Sequence, residues 1–375
     1  MNEPTAKPKL SVFLSFSGQG GVERMMVHLC HGLVEAGYAV DLVLAKVKGE
    51  AIQTLPAQVN LVKLGSEHTL TALPRLVRYL QRERPEVLLA AKDRAGRVAL
   101  RARQLAGVNT RVYIRLGTHL STALAGKSAL ARWFRVAPMR RLYNKAAGVI
   151  AVSEGVAADT AKLTGMEPQQ IHVVHNPVIP PDLATSKRQP VDHPWLEPER
   201  DWSVILGVGR LTPQKDFVTL IRAFAKLRQR QEARLIILGE GRQRDELRAL
   251  AETLGLADSL DLPGFQSNPY AWMAKADLFV LSSRWEGSPN VLTEALACGT
   301  PVVATDCPSG PREILGKHKL APLVEVGNSD ALFAAITATL ASPPSSQRLE
   351  QAINDYTIAA STQGYLQVLY EQARR

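Results

Sequence analysis

The chain has 375 residues, 46% hydrophobic and 21% charged, a balance ordinary for a globular protein large enough for two cored domains. Its three cysteines, Cys30, Cys298 and Cys307, form neither a paired metal spacing nor a disulfide framework, and no apolar run nears the roughly eighteen residues that span a bilayer. Charge is uneven: of the net +10, residues 71–145 hold seventeen Lys or Arg against Glu83, Glu86 and Asp93, a local +14 that leaves −4 elsewhere. A basic half of this kind suits an anionic partner, whether nucleic acid, phosphorylated glycan or membrane surface, or else a surface charged for solubility.

The first nine residues are polar, carry two prolines and lack the apolar core of a signal peptide, which with the cysteine usage points to a cytoplasmic setting. Residues 9–15 read as an apolar strand, 17–21 as a glycine loop, 22–36 as a helix ended by Gly37, and 39–45 as a second strand. Such βαβ alternation implies a parallel sheet covered by helices. It continues through strand candidates at 86–89, 111–115, 148–152 and 171–174. On the first helix His28, Cys30 and His31 cluster among apolar neighbours, which reads as packing; no metal site is expected.

Residues 127–143 mix Lys127, Arg132, Arg135, Arg140 and Arg141 with Leu130, Trp133, Phe134, Met139 and Leu142. The stretch suits an anionic membrane interface, and equally a core-facing amphipathic helix with solvated cations. Pro138 is expected to interrupt any single helix there.

Six prolines among polar residues between 176 and 198 mark a linker at 179–200. A second alternating series follows, with strands at 203–208, 234–238, 260–262, 278–281 and 301–304 and helices at 216–230 and 243–254. The expected organisation is therefore α/β throughout, with domains at 1–178 and 201–354 and an aromatic-bearing helix within 355–375 packing back on the first.

Two loops of the second half carry chemistry. Gly209-Arg210-Leu211-Thr212-Pro213-Gln214-Lys215 follows a strand and precedes a helix, so two cations project where open α/β sheets bind ligands. A fork-shaped guanidinium and a mobile ammonium suit a diphosphate; alone, the same pair also fits two surface residues at a turn. In Glu286-Gly287-Ser288-Pro289-Asn290-Val291, Ser288 reads as an N-cap and Pro289 as the first helical residue, so backbone N–H groups there face oxyanions or hydroxyls. Glu294 falls in the second turn, where a carboxylate matches the vicinal hydroxyls of a ribose.

Glu286 and Glu294, followed by Ala295-Leu296-Ala297-Cys298-Gly299-Thr300-Pro301-Val302-Val303, resemble the E-x7-E region of the retaining GT-B glycosyltransferases of family 4. Gly209-Arg210-Leu211 with Lys215, Leu238-Gly239-Glu240-Gly241, Leu262-Pro263-Gly264-Phe265 and Ala276-Asp277-Leu278-Phe279-Val280 stand in that family's order, densest over 204–326. Gly20-Gly21-Val22-Glu23, Ser153 and Asn176-Pro177 match more loosely in the first half.

The resemblance implies two Rossmann-like domains facing a central cleft, a nucleotide-sugar donor (UDP-sugar favoured by most of the family) and no required cofactor. Arg210 and Lys215 would hold the diphosphate, with Gly209 in the same loop. Glu294 would bind the ribose, and Phe265 would border the base. Glu286, Ser288, Pro289, Asn290 and Val291 would line the sugar side. His119 would approach the transferred sugar, and Gly20 and Gly21 would let backbone near the acceptor or diphosphate. Transfer would proceed with retention, to a glycan or lipid-linked acceptor in lipopolysaccharide, polysaccharide or glycolipid synthesis. No Asp-x-Asp occurs, so the Arg/Lys pair would stand in for a metal's charge.

Two rivals remain. An NAD-dependent oxidoreductase needs a third glycine where Glu23 stands and an acid at the end of the second strand, whereas Asp41 sits near its start. A nucleic-acid binder would use the basic half, but few aromatics interleave with the cations, so nucleic acid is not an expected partner.

Overall fold

A computed structural model describes residues 9–16, 21–48, 50–316 and 319–371. The chain divides into two compact units, Met1–Val178 with Asp355–Arg375, and Ile179–Asn354.

The first unit holds β1 (Leu10–Leu14), β2 (Val40–Leu44), β3 (Asn60–Lys63), β4 (Val87–Ala91), β5 (Arg111–Leu116), β6 (Gly148–Ala151) and β7 (Ile171–Val173). They form one sheet in the order β3-β2-β1-β4-β5-β6-β7, with every pairing parallel. Its helices are α1 (Gly21–Glu35), α2 (Leu73–Glu83), α3 (Asp93–Ala106), α4 (Leu120–Ala123), α5 (Ala129–Tyr143) and α6 (Glu154–Thr164). Because helices cover both faces, β1, β2 and β4 are buried along their whole length, so they read as unbroken rather than alternating apolar runs.

Strand β5 shows how the two faces are used. Val112, Ile114 and Leu116 enter a core with Val98 of α3 and Met139 and Tyr143 of α5. Arg111 and Tyr113 point the other way and donate to the Leu369 and Val368 carbonyls at 2.8 and 3.4 Å. Arg115, only 2% exposed, donates from Nη2 to Asn176 Oδ1. The last helix of the chain therefore belongs to this unit, packed against α1, where Gly32 leaves room for the Thr362 hydroxyl.

Asp41 lies at the amino end of β2, 2% exposed. It accepts from Tyr79 Oη at 2.6 Å and Asn60 Nδ2 at 3.0 Å and pairs with Lys9 at 3.0 Å. That end of the strand is opposite to the one a dinucleotide's ribose requires.

Helix α5 runs unbroken through Pro138, contrary to the expected interruption. The bond that proline forfeits would end on the carbonyl of Phe134, whose residue is 63% exposed, and water serves a carbonyl there at little cost.

The second unit holds β8 (Ser203–Val208), β9 (Ala233–Leu238), β10 (Leu260–Gly264), β11 (Leu278–Leu281), β12 (Val302–Thr305) and β13 (Leu323–Val324), in the order β10-β9-β8-β11-β12-β13, again all parallel. Its helices are α7 (Leu183–Ser186), α8 (Phe217–Arg228), α9 (Arg244–Thr253), α10 (Pro269–Lys275), α11 (Asn290–Ala297), α12 (Pro311–Gly316), α13 (Ser329–Ala341) and α14 (Ser346–Gln351). After it the chain re-enters the first unit as α15 (Ile358–Leu366).

Residues 179–200, read from sequence as a linker, fold onto this second unit. Asn268 donates to the Ser186 carbonyl at 2.8 Å, Lys187 pairs with Glu350 at 2.8 Å, and His193 reaches Asp261 at 3.0 Å. The prolines set the turns, while Leu196 and His193, 4% and 8% exposed, supply burial that a free linker lacks.

Candidate active site

The chain enters the second sheet at β8, builds β9 and β10 on one side, then crosses to build β11, β12 and β13 on the other. The strand order thus reverses between β8 and β11, which pair through Leu278 with Ile205 and Phe279 with Leu206. At such a reversal the two following loops diverge and leave a crevice at the carboxyl ends of the strands. Here those loops are 209–216 and 282–289, the two segments singled out for chemistry.

The loops are laced together. Arg284 N donates to the Gln214 carbonyl at 2.8 Å, Gln214 Nε2 to the Trp285 carbonyl at 2.9 Å, and Ser282 Oγ to the Lys215 carbonyl at 2.8 Å. Lys215 Nζ lies 2.7 Å from Glu286 Oε1, and Ser283 Oγ donates to the same oxygen at 2.6 Å. Asp216, 3% exposed and held at φ 48°, starts α8 and pairs with Arg284 at 3.1 Å. Neighbouring strand ends close in behind. Gly209 N donates to the Leu238 carbonyl at 2.9 Å, and Gly239 N to the Gly264 carbonyl at 2.8 Å. Gly239 sits at φ 132°, and a Cβ there would overlap the Gly209 carbonyl oxygen.

Within this crevice the cations differ. Arg210 is exposed, and among the described residues its guanidinium makes no ion pair. The Lys215 side chain is 16% exposed and committed to Glu286, whose side chain is 9% exposed. An ammonium has three protons, so the contact with Glu286 leaves donors that a phosphate oxygen can take.

Helix α11 starts at Asn290, one residue later than expected, with Pro289 as its N-cap at φ −75° and ψ 91°. Ser288 is therefore not the cap. Ser309 Oγ donates to the Gly287 carbonyl at 2.8 Å, and Gly310 packs against the Pro289 ring, which together keep the chain extended through Pro289. The first helical bond then ends on the Pro289 carbonyl, from Leu292 N at 2.9 Å. Val291 is half-buried, and Glu294, in the second turn, is 1% exposed. Phe265 directly follows β10 and keeps 45% of its surface exposed.

Burial, with the Glu286 charge nearby, pushes the Cys307 thiol up to about 12, and burial does the same for Cys298. Neither is a thiolate nucleophile at neutral pH.

His119, Gly20 and Gly21 belong to the first unit's segment of the chain. Gly21 opens α1, and Gly20 lies outside the described residues. His119 follows β5 and directly precedes α4, with Nδ1 2.9 Å from Thr122 Oγ1. Beneath it Asp159, 6% exposed, accepts from Leu120 N at 2.6 Å and Ser121 N at 3.0 Å, and lies 3.8 Å from His119 Nδ1. Asp159, Ser283 and Gln214 were not singled out by motif or spacing. Ser283 carried a signal, a hydroxyl at the carboxyl end of an apolar strand; Asp159, in mid-helix, carried none.

Two doubly wound parallel sheets, the second with a basic and an acidic loop at its reversal point, are the architecture of a GT-B glycosyltransferase. Solved structures share it at low identity. The lipopolysaccharide outer core galactosyltransferase WaaB superposes with a TM-score of 0.73 at 21% identity, over 97% of this chain and 99% of that one. HepE of Anabaena, solved with UDP and glucose, gives 0.78 at 20% over 97% and 100%.

The chain belongs to glycosyltransferase family 4. Residues 19–180 match the model described as Glycosyltransferase Family 4, and residues 192–355 that of Glycosyl transferases group 1. It is 32% identical over 346 residues to the N-acetylgalactosamine-N,N'-diacetylbacillosaminyl-diphospho-undecaprenol 4-alpha-N-acetylgalactosaminyltransferase of Campylobacter jejuni, covering 88% of this chain and 90% of the relative. With the lipopolysaccharide core biosynthesis glycosyltransferase LpsE of Rhizobium meliloti it shares 28% identity over 364 residues, 94% and 97% of the two chains.

Proposed function

We propose that the second unit binds a UDP-sugar and that the protein transfers the sugar, with retention and without a metal, to a lipid-linked or glycan acceptor in lipopolysaccharide, surface polysaccharide or glycolipid synthesis. One observation carries the reading: the loops flanking the β8/β11 reversal bring Arg210 and Lys215 together with Glu286 and the start of α11.

In this reading Arg210 and Lys215 hold the diphosphate and take up charge as the nucleotide leaves, a preorganised electrostatic role. Lys215 spans phosphate and Glu286, and Glu286 accepts from a sugar hydroxyl, with Ser283 orienting its carboxylate. The segment Ser288-Pro289-Asn290-Val291 lines the sugar, Glu294 binds the ribose, and Phe265 borders the base. As the family resemblance implies, His119 serves the transferred sugar, and the Gly20-Gly21 pair serves the acceptor or diphosphate. The acceptor's proton passes to the departing phosphate as the acceptor attacks from the same face. Support for a lipid-linked acceptor comes from the diphospho-undecaprenol in the Campylobacter relative's name, and support for UDP from the nucleotide in HepE. The same reading has the protein dock on the cytoplasmic face of an anionic membrane through residues 127–145, supported by the net positive charge of that stretch.

Calorimetric titration with UDP, GDP and ADP tests the donor. The expected result is UDP binding that Arg210→Ala and Lys215→Ala each weaken; absence of nucleotide affinity, or oligonucleotide binding in its place, overturns the reading. Donor hydrolysis followed by proton NMR reports the first-formed anomer, so inversion rules out retention. Undiminished hydrolysis in EDTA is expected for metal-free transfer.

A further inference from the structure

Helix α5 has two apolar faces. On one, Met139, Leu142 and Tyr143 are buried in the first unit's core, and Arg135 and Tyr143 meet Asp93 at 3.1 and 2.9 Å. Opposite, at i, i+3, i+4 and i+7, lie Leu130, Trp133, Phe134 and Ala137. Leu130, Trp133 and Phe134 are 65%, 61% and 63% exposed, and the two rings meet edge-on at 5.1 Å. Every residue from 125 to 134 is exposed. A surface helix needs only one apolar stripe to hold its place, and here the inner stripe already does so. Among the described residues Leu130, Trp133 and Phe134 of the outer stripe stay mostly exposed, presenting contiguous apolar surface to water.

Charge selects the partner. Residues 94–153 contain no Asp or Glu and twelve Lys or Arg. Lys127 precedes the helix start, Arg132 is exposed on the other side of its first turn, and Arg140 and Arg141 are exposed along the stripe's side further on. A second copy of this chain would bring the same cations against these, and three side chains expose only on the order of 400 Å², about half of what one partner commits to a stable dimer. Aromatic and aliphatic side chains among unopposed cations match instead the headgroup layer of an anionic bilayer, where rings sit at the acyl boundary and guanidinium groups meet phosphates.

We propose that the first two turns of α5 insert Leu130, Trp133 and Phe134 into an anionic membrane interface while the last turns stay fixed in the core. Arg140, which also donates to the Leu163 carbonyl at 2.7 Å, couples the inserted helix to α6. The inference rests on the membrane side of the proposed function and supplies the inserting element and its mode, apolar entry and not charge adsorption alone.

The test is sedimentation of the full chain with phosphatidylglycerol-containing and pure phosphatidylcholine vesicles. Wild type is expected to bind the anionic vesicles and to keep part of that binding in high salt. Because both rings are exposed, Trp133→Ser with Phe134→Ser leaves the fold intact and is expected to lower partitioning about tenfold or more and to remove the salt-resistant part. Arg140→Gln with Arg141→Gln should instead reduce binding mainly at low salt. UDP titration of each variant should match wild type, so a failure of the donor reading shows in titration and not in vesicle binding. Vesicle binding equal in wild type and the ring variant overturns the inference. So does absence of vesicle binding by wild type, or a wild-type dimer that the ring substitutions dissolve.

Discussion

Lys215 and Glu286, 71 residues apart in sequence, meet at 2.7 Å across the reversal point of the second sheet, each with most of its side chain buried. A buried pair adds little net stability, but removing one partner leaves the other's charge in a poor dielectric. Lys215→Met should therefore cost about 3 kcal/mol, and adding Glu286→Gln should recover most of it. Urea unfolding of the two single variants and the double variant measures the coupling.

Arg210 offers the contrast, an exposed cation with no ion pair among the described residues. Arg210→Ala should leave stability within about 0.5 kcal/mol of wild type. UDP affinity should still fall on the order of tenfold to a hundredfold, the worth of charge-assisted hydrogen bonds to phosphate. Unfolding and nucleotide titration on the same variant separate the two effects.

Gly239→Ala places a methyl against the Gly209 carbonyl at φ 132°, so it should both destabilise the second unit and distort the Arg210 loop. Gly255→Ala, at φ 68° with nothing within 4 Å of the added carbon, is the matched control and should cost only about 1 kcal/mol with UDP affinity intact. Equal nucleotide binding by both variants would show that the loop tolerates the intrusion.

Asp159 caps the short helix carrying His119 through two backbone N–H groups. Asp159→Ala should cost about 1–2 kcal/mol and lower the rate of donor hydrolysis by freeing the loop. Asp159→Asn retains an acceptor for those donors and should keep more of both stability and rate. Comparable loss in the two variants would shift the role from capping to charge.

Burial pushes the Cys30, Cys298 and Cys307 thiols up to about 12, so the folded chain keeps them neutral where the unfolded chain ionises. A raised folded value gives stability that is complete below the unfolded value, near 9, and lost as pH climbs toward 12. At pH 10 the loss is roughly 1 kcal/mol per thiol. Urea midpoints between pH 7 and pH 10 should fall less in a triple Cys→Ala variant than in wild type.

Much of the scaffold was legible because a strand buried on both faces must be apolar throughout. The runs at 203–208 and 278–281 are β8 and β11 to the residue. Two of the four edge strands escaped: β3 is half exposed and β13 has two residues, so neither carries a burial pattern strong enough to read. The start of α11 was misplaced by one residue because Ser288 has the composition of a cap. Gly310 and Ser309, about twenty residues on, hold the chain extended past it.

The sequence by itself determined the two parallel sheets, the family, and the two loops where cations and carboxylates gather, since these follow from local apolarity and short-range motif order. Tertiary structure alone decided that strand order reverses between those loops, which turns two separate motifs into one crevice with Lys215 on Glu286. It also decided the faces of α5. A 3.6-residue period tells which apolar side chains share a stripe but not which stripe meets the core, and only packing against β5 and α3 left Trp133 and Phe134 facing outward.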